Sequence, residues 1–163
     1  MVTWAEFADD APHIAEIFQR RHAATGNLCM LGTIRSDGYP RISPVEPSFF
    51  DGELVVVGMP GTTKFIDLGR DPRFCLHTAT VDTHVSDGDA KVWADAVNLQ
   101  DPDFHKRFAE DLFERTGFDL RGEVFDPFLI SDIVGASSVE LVDNRLVITI
   151  WKPGEGERRV TKT

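Results

Sequence analysis

The chain has 163 residues, 42% of them hydrophobic and 27% charged, with Gly 13 and Pro 9. This is the composition of one compact globular domain, and it excludes collagen-like, repetitive and wholly disordered chains. Lys+Arg 17 against Asp+Glu 27 gives a formal net charge of −10, so the overall field repels phosphate backbones and anionic lipid, and no nucleic-acid or membrane partner is expected. An anionic ligand must be held by a local cluster of donors.

Cys29 and Cys75 lie in apolar, strand-like runs without C-x-x-C or metal spacing, and read as buried thiols. The first residues form neither a basic nor an apolar leader, and no run approaches the roughly 18 apolar residues of a membrane span, so the expectation is a cytoplasmic protein.

Thr3 and Glu6 have capping-box spacing, and Pro12 introduces Ile14, Ile17 and Phe18 on one face, so the chain opens with one or two short helices. Residues 28–34 are an almost unbroken apolar strand ended by the Asp37-Gly38 turn. Residues 39–50 return as a second strand, with Arg41, Ser43 and Val45 on one face. Pro40, Pro44 and Pro47 cannot donate to a ladder, which makes this an edge or interrupted strand with backbone groups open to a ligand.

After Asp51-Gly52 comes a β-branched strand at 54–57, then a Gly-rich turn and a short helix with Phe65, Ile66 and Leu68 apolar, stopped at Asp71-Pro72. Strands follow at 73–80 and 90–99. Asp101 and Pro102 then start a helix with Phe104, Phe108 and Leu112 in one stripe, ended by Gly117. Strands at 138–142 and 146–151 flank the Asp143-Asn144 turn, and the segment from Pro153 reads as a frayed tail. Short strands joined by Asp-Gly turns, with helices inserted between them, predict a mainly β (α+β) antiparallel barrel of six or seven strands closed on itself, with flanking helices. Residues 1–152 form its single domain and 153–163 a polar tail.

Chemistry concentrates in Gly58-Met59-Pro60-Gly61-Thr62-Thr63-Lys64, between a strand and a helix start. Free amides and the dipole of the helix, two hydroxyls and a lysine suit a phosphate, although an ordinary Thr-capped helix explains the same residues. Arg41, in an apolar strand, needs an anionic partner: a bound anion, or Asp37 or Glu46. No G-x-S-x-G elbow, dinucleotide glycine fingerprint or zinc signature occurs, and His77 and His84 do not form a metal motif.

Residues 28–33, the run Asp37-Gly38-Tyr39-Pro40-Arg41-Ile42-Ser43, the triplet Thr62-Thr63-Lys64 and Asp71-Pro72-Arg73-Phe74 together resemble the FMN-binding split-barrel family of pyridoxamine 5'-phosphate oxidase, over roughly residues 28–97. The resemblance implies a split β-barrel and a homodimer with the flavin in a groove between subunits. It places the FMN phosphate on Arg41, Thr62, Thr63 and Lys64. Where the family's oxidases carry a Lys soon after the strand Arg, this chain has Glu46, and Thr63-Lys64 replaces an Arg-Lys pair. The implied activity is FMN-dependent oxidation or reduction of a small organic substrate. Relatives that use the deazaflavin coenzyme, or that bind flavin or haem without catalysis, are the alternatives. Ser43, Val45, Met59 and Lys91 are the expected further cofactor contacts, with Trp93 and Trp151 available either to stack on a ring or to pack in the core or an interface.

Overall fold

The computed structural model describes residues 1–80, 83, 85 and 87–162. Helices α1 (Trp4–Asp10) and α2 (Pro12–Ala24) open the chain. The capping box forms as expected: the Glu6 amide donates to Thr3 Oγ1 at 3.2 Å, and the Thr3 amide to Glu6 Oε2 at 2.9 Å. Strands β1 (Cys29–Ile34), β2 (Pro40–Val45), β3 (Ser48–Phe50) and β4 (Glu53–Val56) precede helix α3 (Thr63–Arg70). Then come β5 (Arg73–Thr78), β6 (Asp89–Asn98), helix α4 (Pro102–Thr116), β7 (Leu129–Val142), β8 (Arg145–Lys152) and β9 (Gly156–Lys162). Among the described residues no helix is long and apolar enough to cross a membrane.

Among the described residues, nine antiparallel strands make one sheet in the order β2-β1-β5-β6-β7-β4-β3, with β8 and β9 extending from β7. Two strands exceed the expected six or seven. The predicted strand at 39–50 breaks at Glu46-Pro47 into β2 and β3, because Pro47 has no N–H to continue a ladder. The tail read as frayed is β9, paired with β8 from Lys162 opposite Leu146 to Gly156 opposite Lys152.

The sheet does not close. Its path ends in β2 and β3, which follow each other in the chain but, among the described residues, pair only with β1 and β4 respectively. The result is a sheet curled into a split barrel, its two ends linked by two residues.

One face of the sheet points inward. Cys29, Leu31, Leu76, Val92, Ala94, Ala136 and Trp151 meet Phe7, Ile14, Ile17 and Phe18 of α1 and α2 in the main core. Each fully buried large side chain there contributes about 1.5–3 kcal/mol relative to exposure. A second cluster lies under α4, where Phe104 and Phe108 meet Val55, Phe125, Phe128 and Ile130. The Phe108 and Phe128 rings stand edge to face at 5.1 Å. Asp101 caps α4 through bonds from the Asp103 and Phe104 amides, and Gly117 ends it at φ +74°, as the sequence indicates.

Candidate anion site at the start of helix α3

Two elements converge here. The first is the turn before α3, where Gly61 sits at φ +73°, a conformation that side chains disfavour. Thr62 is the N-cap residue, in extended conformation, and its side chain makes no capping bond. The Phe65 and Ile66 amides donate to the Thr62 carbonyl at 3.0 and 3.1 Å. The Thr63 and Lys64 amides remain as first-turn donors with no helical carbonyl to reach. The Thr62 hydroxyl oxygen is buried and has no hydrogen-bond partner among the described residues. Such a group costs about 1–3 kcal/mol when left unsatisfied, and this one lies at the positive end of a helix. Lys64 Nζ stands 5.1 Å from the Phe65 ring centroid, beside the same turn.

The second element is β2. Its alternation puts Arg41, Ser43 and Val45 on the inner face, opposite Thr33, Leu31 and Cys29 of β1. Arg41 Nε donates to Asp67 Oδ2 at 2.6 Å. The Thr33 hydroxyl donates to the same oxygen at 3.0 Å, and Arg70 Nη2 lies 3.5 Å from Oδ1. Asp67 is 3% exposed. The Arg41 hydrogen bond, helped by Thr33 and the nearby Arg70, holds its carboxyl below the usual carboxylate range against the opposing effect of burial.

Neither partner offered for Arg41 by the sequence is used. Asp37 is bonded by Arg35 at 2.7 Å, and Asp67 takes Arg41 instead. The helix face also differs from expectation, since Ile66 is exposed and Asp67 is buried. Asp67 is buried on α3 with Phe65 and Leu68, and no local pattern in the sequence marks it out.

The other expected cofactor contacts are distributed differently. Ser43 shares the inner face with Arg41, whereas Val45 packs in the main core and Met59 is 76% exposed on the loop. Lys91 is on the outer face of the sheet, paired in register with His77 and Ser137. Trp151 is buried, with Nε1 donating to Asp10 Oδ2 at 2.6 Å, while Trp93 is 40% exposed on the outer face. His84 lies outside the described residues.

That outer face carries a second feature. Ile42, Gly32, Cys75, Trp93 and Gly135 stand in one cross-strand row over five strands. A mostly apolar cavity of about 430 Å³ opens at one end of the row, lined by Met30, Gly32, Ile42, Cys75 and His77 among others. Cys75 is thus half-buried on this face and not in the core, whereas Cys29 is fully buried.

No protein-family model matches the sequence, and no curated protein matches it. Solved structures do match. A pyridoxamine 5'-phosphate oxidase-related, FMN-binding protein from Nostoc punctiforme aligns with a TM-score of 0.62 at 13% identity, over 93% of this chain and 95% of its own. PhzG from Burkholderia lata, solved with tetrahydrophenazine-1-carboxylic acid, aligns at 0.58 and 14% identity over 96% of each chain. An FMN-binding protein from Syntrophomonas wolfei aligns at 0.57 and 16% identity, over 79% of this chain and 90% of its own. The open, curled nine-stranded sheet with its helices therefore has the split-barrel fold of the pyridoxamine 5'-phosphate oxidase-related, FMN-binding proteins.

Proposed function

We propose that the chain is a flavoprotein that binds FMN, with the phosphate on Arg41, Thr62, Thr63 and Lys64. In this reading it acts as a homodimeric, cytoplasmic oxidoreductase on a small organic substrate. The observation that carries the reading is the buried, unpartnered Thr62 hydroxyl at the uncapped start of α3, with Arg41 held against the same helix by Asp67. Hydroxyl, amide, guanidinium and ammonium donors are the set that a phosphate's acceptor oxygens require. The FMN-binding neighbours of the same fold supply the cofactor class.

The bound flavin supplies the hydride or electron chemistry. The residues of the chain bind and orient it: the anion site fixes one end, and Ser43, on the same sheet face as Arg41, and Met59, on the loop before α3, are the proposed contacts toward the ring. The apolar row with Ile42 and Trp93 on the outer face is the proposed surface for a second copy, which would also shield Cys75 and the cavity beside it.

Arg41→Ala and Lys64→Ala test the assignment. Each variant is expected to lose cofactor while its thermal unfolding stays cooperative. Flavin retained by both variants would overturn the phosphate site.

A further inference from the structure

We infer that Asp67 is the positioning residue of the anion site, holding Arg41 by its Nε so that the two terminal Nη groups face the ligand; this rests on the phosphate-site reading above. Three observations support it. The bond from Arg41 is made through Nε, at 2.6 Å, and among the described residues no other hydrogen bond engages this guanidinium. A guanidinium held at Nε has its orientation fixed and still presents donors in a rigid plane. Asp67 is itself fixed from two further directions, by the Thr33 hydroxyl at 3.0 Å and by Arg70 at 3.5 Å. Finally, Asp67 lies one helical turn beyond Thr63, so the clamp joins β2 to the helix whose first turn carries the free amides.

The energetics point the same way. Desolvating a carboxylate offsets most of what its ion pair gains, and an apolar residue at such a position is commonly as stable or more so. Asp67 occupies a helix face shared with Phe65 and Leu68, where a leucine would pack without that cost. Orientation of Arg41, rather than net stability, accounts for the carboxylate. Asp67 also offsets part of the cationic charge, so a purely electrostatic role would make its removal favour anion binding. A positioning role makes removal weaken it, and the two have opposite signs.

The test is fluorescence titration with FMN and with riboflavin, which lacks the phosphate, on wild type, Asp67→Asn, Arg41→Ala and the double variant. Positioning predicts that Asp67→Asn weakens FMN binding at least tenfold, leaves riboflavin binding within about twofold, and has no further effect once Arg41 is alanine. Equal loss for both flavins, or the same loss in the Arg41→Ala background, would show a structural role and overturn the inference; tighter FMN binding would show a charge effect only and overturn it too. Should Asp67→Asn not fold, Thr33→Val removes one of the bonds that fix the carboxylate. It is expected to give a smaller loss confined to FMN, and an unchanged FMN affinity would count against the inference. Wild type that binds FMN no better than riboflavin would instead defeat the phosphate-site reading itself, an outcome separate from any effect of Asp67.

Discussion

The ring of His22, near the end of α2, donates from Nε2 to the carbonyl of Pro47 at 2.7 Å, at the two-residue link where the two ends of the sheet meet. A carbonyl can only accept, so the bond fixes the proton on Nε2. Burial pushes the His22 pKa below its usual value, opposed by this bond and reinforced by the positive charge of Arg115. A histidine whose pKa is lower folded than unfolded stabilises the fold above the unfolded value of about 6.5 and loses that contribution as pH falls through it toward the folded value. The urea midpoint is therefore expected to drop between pH 7.5 and pH 5.5, and to drop less in His22→Gln, whose amide can donate but does not titrate. His22→Ala, which leaves the Pro47 carbonyl unsatisfied, should cost about 1–3 kcal/mol at pH 7.5 and less at pH 5.5.

Trp151 makes the corresponding link between the sheet and α1. Its indole packs edge to face on Phe7 at 5.0 Å and donates to Asp10 at 2.6 Å. Asp10→Ala removes the acceptor while leaving the ring in place, and is expected to destabilise by about 1–3 kcal/mol. Chemical unfolding of the single variant checks this, and a change under about 0.5 kcal/mol would assign the stability to ring packing alone.

The two thiols are expected to differ in reactivity. Burial pushes the Cys29 thiol up to about 12. It raises Cys75 as well, with Lys91 pulling the other way. Since the thiolate is the reactive form, a disulfide reagent at pH 8 should label Cys75 once the dimer is dissociated by dilution and the outer face uncovered, and Cys29 only on unfolding. Mass analysis of peptides labelled over time reads the order directly.

Association through the outer face makes a further prediction. Trp93 sits in the middle of the apolar row, between Cys75 and Gly135. Trp93→Glu would put a charge into an interface while remaining tolerable at a 40% exposed position. Light scattering should then show a dimer for wild type and a monomer for the variant. A variant that stays dimeric would place the interface elsewhere.

Much of the architecture was legible because local signals were strong. Thr3, Pro12, Asp101 and Gly117 set helix ends by chemistry confined to one turn. The parts that were not legible share a cause, the lack of a local apolar period. Strand β7 begins at Leu129, nine residues before the strand expected from Ser138. A register shift opposite Trp93 and Ala94, with Val134 as the extra residue, breaks its alternation. Strand β9 has no fully buried residue, so its Glu157-Arg158-Arg159 run reads as polar tail although its backbone pairs with β8. At the candidate site, Arg41, Thr62, Thr63 and Lys64 could be named from the chain alone. Asp67 could not, because a carboxylate on an amphipathic helix is ordinarily assigned to solvent, and only the fold brings Thr33, Arg41 and Arg70 around it.

The most direct test of flavin binding is the visible absorption spectrum of the freshly purified protein, followed by mass analysis of whatever heat releases from it. The expected result is a yellow protein that releases FMN. A deazaflavin or haem spectrum would contradict the cofactor assignment, and a colourless protein that takes up neither FMN nor deazaflavin on titration would contradict the flavoprotein reading as a whole.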